Sequence, residues 1–173
     1  MSCANFLPRF VDLNLEQPGA FGPIATQMHM SIMGTLTLER LAETKENHAI
    51  TFIHSYPGMV KTGNLYRGWG EGSWGPWMAT IFINPILTLL AYSFKESAER
   101  YLYQVTSGTF GGRGPVLPGG IKGRTTRGEH TGGLFLVDHK CDAVMNEKEL
   151  AKLRVTAQEA VWEKVHQILT PYV

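Results

Sequence analysis

The sequence has 173 residues, 43% of them hydrophobic, which is enough chain to bury one core. The 16 Lys and Arg residues and 15 Asp and Glu residues leave a formal net charge of +1, so no strong field draws the chain to nucleic acid or to an anionic membrane. Composition therefore predicts a single domain over residues 1–173, with a small molecule or a protein as its partner.

The cysteine content bears on the cellular compartment. Cys3 and Cys141 are far apart and lack metal-ligand spacing, which is typical of a reducing compartment. The first residues lack the basic region and apolar run of a secretory signal. We therefore expect a cytoplasmic protein without a bound metal.

The first predicted elements are a helix and a strand. Apolar residues recur at helical intervals from about Pro23 to Lys45, and Pro23 suits the first turn of a helix. Residues 49–60 are β-branched and aromatic, which predicts a strand that stops at Pro57 and Gly58. This order is typical of an open α/β sheet, in which ligands bind beyond the carboxyl ends of the strands.

The middle of the chain is aromatic and uncharged. Glycine and tryptophan dominate residues 66–76, which predicts a lid or binding loop. Residues 72–94 carry no charge, but Pro85 would break a membrane-spanning helix. We therefore expect a core or interface helix from Trp77 to Ser93, and no membrane span.

The last part of the chain predicts two helices, a loop and a strand. The first helix runs from Ser97 to Ser107, with Arg100 on its exposed face. A glycine-rich loop covers residues 108–132, and GLFLVD at residues 133–138 predicts a second buried strand. The final helix is amphipathic and runs from Asn146, its N-cap, to about Leu169.

One glycine motif must be compared with the elements that flank it in the sequence. Gly70, Gly72 and Gly75 form G-x-G-x-x-G, but a dinucleotide fingerprint must lie directly between a strand and its helix. Here a stretch of loop residues precedes the motif, so we do not interpret it as a nucleotide site. The sequence contains no G-x-x-x-x-G-K-[ST], H-E-x-x-H or G-x-S-x-G motif.

A more specific signal is ITFIHSYPGMVKT at residues 50–62, a strand followed by a Pro-Gly turn and a threonine. It resembles the segment of short-chain dehydrogenases that passes the nicotinamide. The segments DLNLEQPGAFG, ESAERYLYQVTS and GGLFLVD extend the resemblance, in order, along essentially all of the chain to a fungal branch of that family. The resemblance corresponds to the C-terminal half of such an enzyme.

The resemblance also implies that parts of the family's cofactor site and catalytic site are missing from this sequence. The nucleotide fingerprint has no counterpart, and the Tyr-x-x-x-Lys pair would fall at the start of the first helix. Phe21 and Ala25, or Gly22 and Thr26, occupy those places, depending on the alignment. Neither pair can donate a phenolic proton or lower its pKa, so we predict a protein that works without a cofactor.

Other groups must then carry any chemistry. A histidine titrates near neutrality, so His29 and His54 are candidate catalytic acids or bases, with Tyr56 as a hydrogen-bond donor. His29 lies one turn beyond the lost lysine, on the face expected to look into the cleft, whereas His54 also fits a packed strand residue with a hydrogen-bonded ring. The aromatic candidates could enclose a hydrophobic ligand or anchor an interface. The candidate substrate-binding residues are Ser31, Lys61, Tyr66, Trp69, Trp74 and Trp77.

The predicted fold is α/β, a truncated Rossmann-like fold that is rich in helix and has a small, mainly parallel sheet, with a possible short strand near residues 2–5. So small a sheet leaves apolar faces and an edge uncovered. We therefore expect a homodimer or a higher homo-oligomer, formed through the first helix.

Three functions remain open. The first is a cofactor-independent enzyme that performs cyclisation, dehydration, condensation or hydrolysis on a hydrophobic secondary-metabolite intermediate such as a polyketide. The second is an NAD(P)H-dependent oxidoreductase represented by its C-terminal half. The third is a non-catalytic partner of a full-length dehydrogenase. The start at Met1 favours the first hypothesis over the second.

Overall fold

The computed structural model describes residues 12–62, 74, 81, 84–116 and 120–172. Five helices and two strands make up its α/β framework, with short 3-10 turns at Lys45–Asn47, Gly108–Phe110 and Thr170–Tyr172. The elements are, in chain order, α1 (Pro23–Ala42), β1 (Thr51–Ser55), α2 (Asn84–Leu90), α3 (Phe94–Thr106), β2 (Gly133–Val137), α4 (Glu147–Thr156) and α5 (Gln158–Leu169).

The two strands form the parallel sheet that the sequence predicts. Ile53 pairs with Phe135, and His54 pairs with Leu136. Because side chains alternate along a strand, His54 and Leu136 share one face of the sheet while Ile53 and Phe135 share the other. The strand predicted near residues 2–5 lies outside the described residues.

Each face of the sheet is covered by helix, which gives three layers. On one side α1 packs against both strands and against α5, and its Leu36 meets Leu150, Ala157 and Val161 in a buried cluster. On the other side Phe110, Phe135 and Val137 form a second cluster, against which Ile53 and Tyr103 pack. Parallel strands need cover on both faces, and these two clusters provide it.

A buried ion pair ties α1 to α4. The carboxylate of Glu39, 1% exposed, accepts hydrogen bonds from Arg154 at 2.9 Å and 2.6 Å, and Arg154 also donates to the carbonyl oxygen of Thr126 at 2.8 Å. Burial acts to raise the pKa of Glu39, but these hydrogen bonds and the charges of Arg154 and Arg127 outweigh it and lower the pKa. Glu39 is therefore ionised, paired and structural.

Two details of α3 differ from the prediction. The helix begins at Phe94 rather than Ser97, because Ser93 is its N-cap and forms a capping box with Glu96. Arg100, predicted on the exposed face, is half-buried, since its guanidinium lies 4.1 Å from the centroid of the Tyr92 ring and donates to the carbonyl oxygen of His139 at 2.6 Å. Ser93, which comes directly before the helix, therefore marks its start better than Ser97 does.

The single final helix predicted from Asn146 to Leu169 is in fact two helices, although Asn146 is the N-cap as predicted. Ala157, with φ −136° and ψ −24°, separates α4 from α5. This bend lets Leu150 and Val161, one from each helix, contact the same cluster around Leu36. Packing against α1 therefore overrides the continuous helical pattern.

The helix predicted from Trp77 to Ser93 is described as α2 only from Asn84. Leu89 and Leu90 are exposed on this chain, so they do not belong to its core, and the interface alternative stays a prediction. Within the described part of the chain, no helix is both long and apolar enough to cross a membrane.

Candidate functional site

A cavity of about 460 Å³ opens at the carboxyl ends of β1 and β2, the place where open α/β sheets bind ligands. Helix α1 forms its third wall. The lining residues are Gln27, Met30, Ser31 and Thr35 of α1, His54, Ser55, Tyr56 and Pro57 at the end of β1, and Leu136, Val137, Asp138 and Val144 around the end of β2.

Local chemistry explains why β1 ends at this wall. The backbone N–H of Tyr56 donates to the carbonyl oxygen of Val137 at 2.8 Å and completes the ladder, after which Pro57 has no N–H to continue it. Gly58 then turns with φ +71°, and a Cβ at this position would lie 2.9 Å from the Cβ of His139. Only glycine fits both the conformation and the space.

His54 is the best-placed ionisable base of the cavity. It is half-buried, and its Nδ1 lies 2.8 Å from the Oγ1 of Thr35. Burial lowers its pKa, because a desolvated imidazole favours the neutral form. His54 is therefore a neutral histidine that packs against α1, as expected for a packed strand residue with a hydrogen-bonded ring. It also lines the cavity.

Two residues next to His54 differ in their environments. The hydroxyl oxygen of Ser55 is buried and has no hydrogen-bond partner. Tyr56 is 61% exposed, and its ring meets that of His139 edge-on at a centroid distance of 6.1 Å. Because side chains alternate along β1, the Ser55 hydroxyl lies on the face of Ile53 and Phe135, opposite His54, while Tyr56 forms the outer rim of the cavity.

His29 does not line this cavity, so its predicted position in the cleft is wrong. The side chain is 5% exposed, and its Nε2–H donates to the carbonyl oxygen of Leu13 at 3.2 Å. It therefore pairs with the segment that precedes α1. The helical spacing placed His29 on α1 correctly, but it did not determine which face meets the sheet.

The predicted substrate-binding residues separate into three groups. Ser31 lines the cavity, as predicted. Lys61 is exposed and lies outside the lining, and its backbone N–H donates to the carbonyl oxygen of Tyr92 at 3.2 Å. Trp74 is 81% exposed. The rest of the predicted aromatic loop, including Tyr66 and Trp69, and also Trp77, lies outside the described residues.

Sequence reasoning missed several of the residues that line the cavity. Thr35 is four positions after Ser31 and therefore lies one helical turn further along the same face of α1. Ser55 is the last residue of β1 and Asp138 is the first residue after β2, so the strand-end rule could have identified both. The face of α1 that meets the sheet is the information that was needed.

The charge of the site is small. Asp138 is the one acidic residue among the lining residues, and its Oδ1 already accepts the backbone N–H groups of Lys140 and Asp142. Lys and Arg are absent from the lining residues that the structure describes. Nowhere among the described residues do three or more His, Cys, Asp or Glu side chains cluster in a way that could hold a metal ion.

The chain is similar to two curated fungal proteins. It is 34% identical over 152 residues to the NmrA-like family domain-containing oxidoreductase notO of Aspergillus sp. (strain MF297-2), a match that covers 87% of this chain and 41% of that protein. It is 28% identical over 170 residues to Oxidoreductase AN1596 of Emericella nidulans, which covers 91% of this chain and 48% of that protein.

These matches give a coarse relationship. The relatives are fungal oxidoreductases, one of them NmrA-like, and the likeness implies a Rossmann-like fold, in agreement with the parallel sheet and its helical cover. The chain spans less than half the length of either relative. No protein-family model and no solved structure matches the chain.

Proposed function

We propose that the chain forms the substrate-binding part of an oxidoreductase-type α/β enzyme, which takes a small, neutral and largely apolar molecule. The observation that carries this proposal is the cavity at the strand ends, where His54 meets the apolar side chains of Met30, Leu136 and Val144. Its volume is within the range of small-molecule sites. The similarity to two fungal oxidoreductases supports the reaction class.

The lining of the cavity supports a neutral ligand. Among the described lining residues, a phosphate or carboxylate group would meet the Asp138 carboxylate and no cationic side chain. A carbonyl or hydroxyl group, by contrast, would find the imidazole of His54 and the hydroxyl of Ser31. His54 would then exchange a proton with the ligand, and Tyr56 would donate a hydrogen bond from the rim.

A nicotinamide dinucleotide is the cofactor that the similarity to oxidoreductases implies, and the described residues do not fit its pyrophosphate. Such a group binds at a glycine-rich turn before a helix N-terminus. The helix that follows β2 is α4, whose first turn carries Glu147 and Glu149, and these charges oppose a bound anion. We therefore derive no reaction step through this cofactor.

That mismatch supports a second candidate function, which is acid-base chemistry without a nicotinamide. Cyclisation, dehydration, condensation or hydrolysis of a hydrophobic secondary-metabolite intermediate needs a proton acceptor in a partly dry cavity. His54 has these properties, and binding such a ligand needs no cationic group.

Calorimetric titration of the purified chain with NADPH and with NADH tests the proposal. Saturable binding at micromolar concentration supports the oxidoreductase, with the phosphate contacts made outside the described residues. Heat changes that do not saturate, from a protein shown to be folded by circular dichroism, favour the second candidate. The oligomeric mass is measured on the same sample. Phe21 and Ile24 expose apolar surface at the start of α1, where we expect a dimer contact.

A matched pair of variants assigns any binding to the cavity. Met30 and Ile168 are both exposed apolar helix residues, but only Met30 lines the cavity. We expect Met30→Trp to weaken binding at least about tenfold, because the indole occupies cavity volume. Ile168→Trp should leave the affinity unchanged. Equal affinities for the two variants would place the binding site elsewhere.

A further inference from the structure

One hydroxyl group of α1 contacts both its own helix and the histidine of the cavity. The Oγ1 of Thr35 lies 3.0 Å from the carbonyl oxygen of Ser31, one turn earlier in α1, and donates to it. The same oxygen lies 2.8 Å from the Nδ1 of His54. A threonine hydroxyl has a single proton and two lone pairs, so it can donate only one of these two bonds.

The carbonyl oxygen of Ser31 determines which of the two bonds the Thr35 hydroxyl donates. A carbonyl oxygen can only accept, so the contact with Ser31 requires the hydroxyl proton, and threonine makes this bond readily within helices. The Thr35 oxygen must then accept from His54. Only an Nδ1–H can donate to it, and a neutral imidazole carries one N–H, so the Nε2 of His54 is left with a lone pair.

We infer that Thr35 fixes neutral His54 in the Nδ1–H tautomer and so makes Nε2 a proton acceptor in the cavity. Thr35 is in this sense a positioning residue, since it acts through His54. The inference deepens the proposed function and rests on it for the role of the ligand. The tautomer, however, is a property of the protein without any ligand.

The surroundings of Nε2 agree with this role. No described residue forms a hydrogen bond with Nε2, and the residue of α1 beside it is a glycine, Gly34, which has no polar side chain to compete for this nitrogen. The ionisable groups that share the cavity are Asp138, on the β2 side, and Tyr56, on the β1 side, while α1 contributes none. Asp138 already accepts two backbone N–H groups, so His54 is the acceptor left available for a ligand.

The ligand that matches this site carries a hydroxyl beside a hydrogen-bond acceptor. Its O–H would donate to Nε2 of His54 while the acceptor takes a hydrogen bond from the hydroxyl of Tyr56 at the rim of the cavity. In the transfer the ligand O–H bond breaks, its electron pair stays on the ligand oxygen, and the new N–H bond forms at Nε2. The imidazolium keeps its Nδ1–H on Thr35, which stabilises the new charge.

Nitrogen-15 NMR of the labelled, ligand-free chain tests the tautomer directly. Two-bond proton–nitrogen correlations distinguish a protonated ring nitrogen from a bare one, and His54→Gln identifies the signals by their loss. In the wild type we expect a protonated Nδ1 and a bare Nε2. A wild-type spectrum with a protonated Nε2 would overturn the inference, whether or not any nicotinamide nucleotide binds.

Two variants of Thr35 test its part in the effect. Thr35→Val keeps the shape of the side chain and removes the hydroxyl, so we expect the Nε2–H form to become the major one. Thr35→Ser restores a hydroxyl and should return the wild-type pattern. An unchanged tautomer in Thr35→Val, with the backbone amide spectrum preserved, would contradict the inference; if that variant does not fold, the wild-type and Thr35→Ser spectra still decide.

Discussion

The two halves of α1 have opposite environments. From residue 33 to residue 42 every residue is buried or half-buried, and Leu36 and Glu39 are fully buried. From residue 24 to residue 31, by contrast, one side of the helix is open to solvent. Ile24, Gln27, Met30 and Ser31 are its exposed residues, and the last three line the cavity.

The polar groups at the two ends differ in the same way. Glu39, beside the second half, has its charge matched by Arg154 and its oxygens hydrogen-bonded. At the cavity, the Nε2 of His54 has no hydrogen-bond partner among the described residues. A ring nitrogen without a partner beside a cavity suggests a use in binding. We conclude that the second half of α1, apart from Thr35, stabilises the domain, whereas the exposed residues of the first half serve the cavity.

The largest effect we expect comes from breaking the ion pair of the buried half. Glu39→Gln leaves the charge of Arg154 buried without its counter-ion, and a lost partner of this kind costs about 3–5 kcal/mol of unfolding free energy. Urea unfolding followed by circular dichroism measures it. Glu99→Gln is the control, because the pair of Glu99 with Lys95 is exposed and its loss should be undetectable. A loss below about 1 kcal/mol for Glu39→Gln would show that the pair does not hold α1 in place.

The sequence predicted the helices and strands better than it predicted which side chains face the cavity. Helical periodicity gave α1, and the β-branched runs gave both strands and their parallel pairing. Periodicity describes a helix by itself, however, and cannot tell which face meets the sheet. His29 was therefore expected in the cleft, whereas it is buried against the carbonyl oxygen of Leu13.

Other features depended on contacts between distant segments. The break at Ala157 follows from the shared packing of α4 and α5 on Leu36, and the burial of Arg100 follows from its contacts with Tyr92 and His139. Neither is encoded in a local pattern. The strand-end rule, by contrast, located His54 and Tyr56, since it depends only on where a parallel strand stops.

A smaller effect is expected from acid, through His54 at the cavity end. Its pKa is lowered by burial from the ordinary value of 6.5, so near and below this pH the unfolded chain binds more protons than the folded one. The stability contributed by the neutral ring is therefore complete above about pH 6.5 and is lost as the pH falls through the lowered pKa. We expect the unfolding free energy of the wild type to decrease from about pH 7 to about pH 5.

His54→Asn isolates this contribution, because an asparagine amide can still donate to Thr35 but does not titrate. The variant should lose less stability than the wild type over the same pH interval. Asp12, Glu39 and Glu96, whose pKa values are lowered, weaken both proteins equally as the pH falls, so the difference belongs to His54. Parallel pH curves for the two proteins would contradict a desolvated, neutral ring.

The smallest effect concerns two buried hydroxyl groups, one with a hydrogen-bond partner and one without. Ser55→Ala removes a hydroxyl that makes no hydrogen bond in the protein, so the unfolding free energy should change by less than about 0.5 kcal/mol. Ser107→Ala removes a buried hydroxyl that accepts from the backbone N–H of Thr109 at 3.1 Å, so we expect a loss of about 1 kcal/mol. Urea unfolding of both variants gives the comparison. If Ser55→Ala costs as much as Ser107→Ala, the Ser55 hydroxyl contributes to the stability of the folded protein.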